Sequence, residues 1–183
     1  PFDAAPPASA VAVAPAASTP AEAFAWPVST RLSYTLTGQV RGEVHGSAQV
    51  EWVREGSRYQ VHLDVTVGAP FAPLVTRRMS SDGTLGPAGL APQRYEEDTK
   101  AMFRDRRRLT IHLDEGFVRL PSGERRPRPD GVQDSASQFV QLAWRFGLDP
   151  TLLAPGRTVD VPLALPRRVA VWTYEVLGEE ELH

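Results

Sequence analysis

The chain has 183 residues, 42% of them hydrophobic and 23% charged, with a formal net charge of −2 from 20 basic and 22 acidic side chains. That length suffices for one domain with a sizeable core, and so balanced a charge gives no global attraction to nucleic acid or to an anionic membrane. There is no cysteine, which excludes a disulfide framework, a thiolate zinc site, a cysteine nucleophile and a lipid-modified N-terminal cysteine in this chain.

The chain opens on Pro1 and not on methionine. It is therefore read as processed or as a fragment, with any signal peptide already removed. Residues 1–28, "PFDAAPPASAVAVAPAASTPAEAFAWPV", are mostly alanine and proline. Proline at this spacing blocks both helix and sheet ladder. The segment reads as a flexible tether, dispensable for folding, in which Phe2, Phe24 and Trp26 could dock locally. No run is long enough to span a bilayer.

From residue 30 the pattern has period two. Leu32, Tyr34 and Leu36 share one face, then Val44, Ala48, Val50 and Trp52. Tyr59, Val61, Leu63, Val65 and Val67 follow, alternating with Gln60, His62, Asp64 and Thr66. These are half-buried strands, and links as short as "REGS" require antiparallel order. Glycine and proline then place turns at Asp82-Gly83 and Gly86-Pro87. Alternation returns in "KAMFRDRRRLTIHLD", with Phe103, Leu109, Ile111 and Leu113 on one face and Arg104, Arg106, Arg108 and His112 on the other. "FVRL" is a further short strand, and "PSGERRPRPDG" a charged loop.

"DGVQDSASQFVQLAWRFG", residues 130–147, has helical spacing instead. Asp134 is placed to cap it by accepting from the N–H groups of Ala136 and Ser137. Gly147 and Pro150 end it. Ala136, Phe139, Val140, Ala143 and Trp144 form one apolar stripe, widened by Leu142 and Phe146. The stripe is expected to lie on the concave face of a curved sheet through Tyr34, Leu36, Trp52, Tyr59, Leu63 and Leu109. "RTVDVPLAL" and "RRVAVWTYEVLG" add two strands, with which the sheet is expected to resume.

The order of "YTLTGQVRGEV", "GSRYQV", "SSDGTLGPAGLAPQRYEE", an Arg-rich strand, "DGVQDSASQFVQL" and "YEVLGEE" resembles a family of exported bacterial proteins catalogued as domain of unknown function 3108. The likeness covers roughly residues 30 to 183, and "SDGTLGPAGLAPQRYE" and "VQDSASQFVQL" are its most specific pieces. It implies a fold similar to periplasmic lipoprotein carriers: a strongly curved antiparallel half-barrel with helical cover over a hydrophobic cavity. It also implies a periplasmic, cell-envelope location, and it implies no reaction. Members of the family continue through further strands, so residues 29–183 are expected to form a single β-rich domain lacking its final hairpin, with an open sheet edge.

Several side-chain groups invite chemistry. His62, Asp64 and His112 are the nearest approach to a metal-ligand set, but a divalent site needs three or four convergent ligands. A solvated outer face accounts for them. Ser135 and Ser137 flank Asp134 without a G-x-S-x-G elbow or a neighbouring histidine, so capping explains them better than nucleophilic catalysis. Asp149, Asp160 and the Glu179–Glu181 run show no matched acid and base. The Arg104-Arg106-Arg107-Arg108 cluster reads as a charged outer face, with anionic lipid head groups or an acidic partner as the functional alternative. No aromatic platform alternates with these arginines, which argues against nucleic acid.

The expected ligand-binding set is Tyr34, Trp52, Tyr59, Phe103, Phe139 and Val140, with no catalytic residue, no metal and no cofactor. The resulting expectation is a non-enzymatic exported protein holding a lipid or other hydrophobic ligand. The alternative is an envelope scaffold with a filled core, whose open edge recruits a protein partner. A hydrolase with an unrecognised site is the third and weakest reading.

Overall fold

Period-two alternation turns into structure strand by strand. A computed structural model describes residues 27–39, 43–69 and 71–178. Eight antiparallel strands run in sequence order as one meander: β1 (Ser29–Gln39), β2 (Glu43–Glu55), β3 (Arg58–Ala69), β4 (Ala72–Gly86), β5 (Gly89–Ala101), β6 (Arg107–Asp114), β7 (Phe117–Arg119) and β8 (Arg125–Pro127). Helix α1 (Ser137–Leu148) follows, then a short 3-10 turn at Pro150–Leu153. The hairpin β9 (Thr158–Leu165) and β10 (Arg168–Glu175) closes the described chain. Among the described residues no helix is long and apolar enough to cross a membrane.

The alternation predicted for β3 holds: Tyr59, Val61 and Leu63 are buried while Gln60 and Asp64 are exposed. The same face of β4 to β7 buries Met79, Leu90, Tyr95, Leu109, Ile111, Leu113 and Val118 in one cluster. Each such side chain stabilises the fold by about 1.5–3 kcal/mol relative to exposure. The tight link between β2 and β3 uses Gly56 at φ 59°, a conformation that glycine adopts without the Cβ clash.

Four expectations are corrected. Asp82-Gly83 is not a turn but lies inside β4, where the register against β5 shifts by a bulge. A Cβ on Gly83 would stand 2.3 Å from the Ala91 carbonyl oxygen, so the glycine admits close backbone approach. The turn lies at Gly86–Gly89. The charged loop contains β8, paired with β7.

The sheet does not resume after the helix. β9 and β10 pair only with each other as a two-stranded sheet, tied to the rest by a parallel bridge between Gln133 and Leu163. Val159, Val161 and Leu163 there form a second cluster with Leu142 of α1. Finally, Phe103 and Arg104 are not strand residues. They lie in the β5–β6 turn, Phe103 at φ 60° and 97% exposed.

The largest surprise is the helix face. Its buried residues are Ser137, Gln138, Gln141 and Leu142, whereas Phe139 is 49% exposed and Ala143 is also exposed. Within the expected apolar stripe, Ala136 is buried in the main core and Val140 packs against it, whereas Phe139 and Ala143 stay open to solvent. Tyr59 and Leu109, expected beneath it, lie in the main core instead.

The tether reading of residues 1–28 lies outside the described residues except for Pro27 and Val28. Those two are fixed: Trp52 Nε1 donates to the Pro27 carbonyl at 2.9 Å, and the Arg54 N–H to that of Val28 at 2.8 Å.

Candidate functional site

Polar groups anchor α1. Asp134 Oδ1 accepts from the N–H groups of Ala136 and Ser137, both at 2.9 Å, as the cap position predicts. Ser137 Oγ accepts in return from the Asp134 N–H at 3.0 Å, which satisfies donors at the helix start reciprocally. The helix ends one residue beyond Gly147, at Leu148. Asp149 then accepts from the Thr151 N–H and begins the 3-10 turn.

The remaining oxygen of Asp134 reaches the sheet. Ser81 Oγ donates to Asp134 Oδ2 at 2.6 Å, and the Tyr59 hydroxyl lies 3.2 Å from Ser81 Oγ. Asp134 is fully buried, and burial raises its pKa from 3.8 to about 6 despite the hydrogen bonds that oppose the rise. Burial, and secondarily the Asp134 charge, pushes the Tyr59 phenol up. Tyr95 is raised by burial and by Glu97, to which its hydroxyl donates at 3.0 Å. This is a closed network of satisfied groups inside the protein, with no histidine among its members.

Glutamines complete the anchor. Gln141 Oε1 accepts from the Leu90 N–H at 2.8 Å, and Gln141 Nε2 donates to the Ala88 carbonyl at 3.0 Å. Gly89 lies between those two residues, and a Cβ there would stand 2.3 Å from Gln141 Oε1. The Tyr174 hydroxyl of β10 donates to Gln138 Oε1. Gln133 Nε2 donates to the Leu90 carbonyl at 2.9 Å. The polar side of the helix thus grips the β4–β5 turn and the hairpin.

The opposite side of α1 borders an open, apolar cavity of about 620 Å³. Phe139, Val140, Ala143 and Trp144 form its helical wall. Leu32, Tyr34 and Leu36 of β1, Ala48, Val50 and Trp52 of β2, and Leu63 and Val65 of β3 form the sheet wall. Pro27, Thr30 and Thr35 complete it, so among the described residues no lining side chain carries a charge. The volume lies in the range of small-molecule sites, and the apolar lining is of their kind. Leu32 and Tyr34 remain about half exposed, because β1 is an edge strand of the meander.

Four members of the expected binding set meet here: Tyr34, Trp52, Phe139 and Val140. Two do not. Tyr59 is buried in the core, its ring stacked 5.5 Å from that of Trp52. Phe103 is solvent-exposed in its distant turn. Trp144, Leu32 and Val50 were missing from the set, although their period-two and helical spacings already placed them on the same faces as Tyr34, Trp52 and Phe139.

The outer face of the sheet is charged. Arg106 Nε and Arg108 Nε donate to the two carboxylate oxygens of Asp98 at 2.6 and 3.1 Å. The hydrogen bond from Arg106 is the largest cause that holds Asp98 down at about 2. Two members of the arginine cluster are thus paired with Asp98 of β5, Arg108 from β6 and Arg106 from just before it, and Arg104 stands apart in the turn. His62 on β3 and His112 on β6 are separated by β4 and β5, about 14 Å at the usual strand spacing. Among the described residues no group of three or more His, Cys, Asp or Glu is placed to hold a metal ion.

A family model described as a protein of unknown function (DUF3108) matches residues 31–183. No curated protein and no solved structure matches the chain. The family match runs from the first strand through the helix and the closing hairpin, and on that extent the chain belongs to the DUF3108 family.

Proposed function

We propose that this is a non-enzymatic, exported cell-envelope protein that binds a lipid or another hydrophobic molecule in the cavity between α1 and β1–β3. The carrying observation is the orientation of the helix. A helix with this composition would ordinarily bury its aromatic stripe, yet here glutamines face inward and Phe139, Val140 and Trp144 face an apolar hollow with no charged wall. Leaving Phe139 half exposed forgoes part of the roughly 1.5–3 kcal/mol that its full burial would contribute, which a bound apolar ligand would recover. A half-barrel like that of the periplasmic lipoprotein carriers, bent around the hollow, is part of this proposal, as is the periplasmic location.

The test has two arms. Native mass spectrometry of protein purified from its own host should show a co-purifying lipid mass. A fluorescent hydrophobic probe should bind the pure protein, and Phe139→Asp should weaken that binding at least several-fold without unfolding the chain. A clean monomer mass together with no probe binding would reject the proposal.

A second reading draws on β1, which has no strand on its outer edge among the described residues. A scaffold role would use that edge to pair with a strand of an envelope protein. The clean mass would then be accompanied by a captured partner.

A further inference from the structure

Pro27 lines the cavity, and its carbonyl is held against the sheet by Trp52, another lining residue. The chain therefore enters the described fold at the rim of the hollow. The residues immediately before it read Ala21-Glu22-Ala23-Phe24-Ala25-Trp26. A residue that precedes proline is pushed out of the helical region into an extended conformation. In an extended segment residues two apart point to the same side, and Phe24 and Trp26 stand two apart in the sequence with one alanine between them.

Trp26 is adjacent in sequence to the lining residue Pro27, and two residues of extended chain reach about 7 Å, so both rings are within reach of the hollow. Glu22 is the nearest charge, beyond both rings, which suits a wall without charged groups. A segment tethered this closely acts at an effective concentration in the millimolar range, so a weak intrinsic affinity suffices to fill the site.

We infer that Phe24 and Trp26 of the chain's own N-terminal segment occupy the apolar cavity when no ligand is bound, and that a ligand must displace them. The inference rests on reading the cavity as a binding site, and it adds a built-in competitor. A protein in which the segment fills the hollow ten times out of eleven would bind its ligand about tenfold more weakly than one with the segment removed.

The experiment compares the full chain with the Phe24→Ser/Trp26→Ser variant. Methyl NMR spectra are recorded without ligand at two protein concentrations, and 1-anilinonaphthalene-8-sulfonate is titrated into each protein. Loss of the two rings should move the methyl signals of Leu32, Val50 and Val140, and leave those of Val159, Val161 and Leu163 in the second cluster unmoved. The difference should not depend on concentration, and the variant should bind the probe about tenfold more tightly.

Unmoved cavity methyls would overturn the inference whatever the probe does. So would shifts that grow with concentration, because the occupant would then be a second copy. Shifted, concentration-independent methyls with no probe binding to either protein would uphold the docked segment and reject the cavity as a ligand site.

Discussion

The two sides of helix α1 reverse the usual arrangement. On one side Ser137, Gln138 and Gln141 are buried, each hydrogen-bonded to the Asp134 backbone, the β4–β5 turn or the hairpin. On the other, Phe139, Ala143 and Trp144 border an open hollow against β1–β3. A helix held by apolar contact alone would turn its aromatic side inward. This one is held by directional bonds that fix its rotation: each buried amide left unpaired would cost about 1–3 kcal/mol, comparable to leaving one large apolar side chain in water, and two glutamines are paired in this way. The polar side positions the helix and leaves the apolar side available.

The sharpest break in that comparison lies between the closed core and the open wall. Ile111 is fully buried in the main core, so Ile111→Ala should lose about 2–5 kcal/mol in a denaturant melt. An equal loss at Phe139 would show that the two regions are packed alike.

Next comes pH. The carboxyl of Asp134 rises from 3.8 to about 6 on folding, so between those values the native state binds more protons than the unfolded chain. Its contribution is therefore fully present below about pH 4 and is lost as pH rises through 6. At about 1.4 kcal/mol per pK unit this amounts to on the order of 3 kcal/mol. Asp134→Asn keeps an oxygen for Ala136 and Ser137 and does not titrate. The stability of the wild type minus that of the variant should fall between pH 4 and 7. A flat difference would mean that the anchor is not a buried titrating carboxyl.

Gln141→Leu tests the grip on the β4–β5 turn. It leaves the Leu90 N–H and the Ala88 carbonyl without their partner and should cost about 1–3 kcal/mol. Probe binding in the cavity should weaken with it, since the rotation of α1 depends on that amide.

The smallest effect on stability belongs to Phe139→Ala. A packed phenylalanine would lose about 3–5 kcal/mol. One that is half exposed on a cavity wall should lose under about 1 kcal/mol, the range of substitutions that leave the core untouched. The change should appear instead in hydrophobic-probe affinity. A large loss of stability with unchanged affinity would place the ring in the core after all.

Much of this architecture was legible in the residues. Alternation in "SRYQVHLDVTV" determined the buried face of β3, and the short "REGS" link determined antiparallel order. Asp134, three residues before Ser137, determined how α1 begins. These are local rules, in which side-chain period and backbone hydrogen bonding leave few choices.

The helix's buried face was decided elsewhere. Periodicity identifies an apolar stripe but not what lies opposite it, and the polar alternative depended on Gln138 and Gln141 meeting groups 36 and 53 positions away. The same limit explains Asp82-Gly83. The dipeptide favours a turn on its own, and only the approach of Ala91 on the neighbouring strand makes it a bulge. It explains Phe103 as well, which fits a strand pattern but falls in the turn that joins β5 to β6. The pairing of β9 with β10 alone also lay beyond sequence, since strand propensity says nothing of which edge a strand joins. Tyr34, Trp52 and Phe139 carried the candidate site in the sequence. What brought them around one hollow was the hydrogen-bonded rotation of α1, a tertiary property that no local pattern encodes.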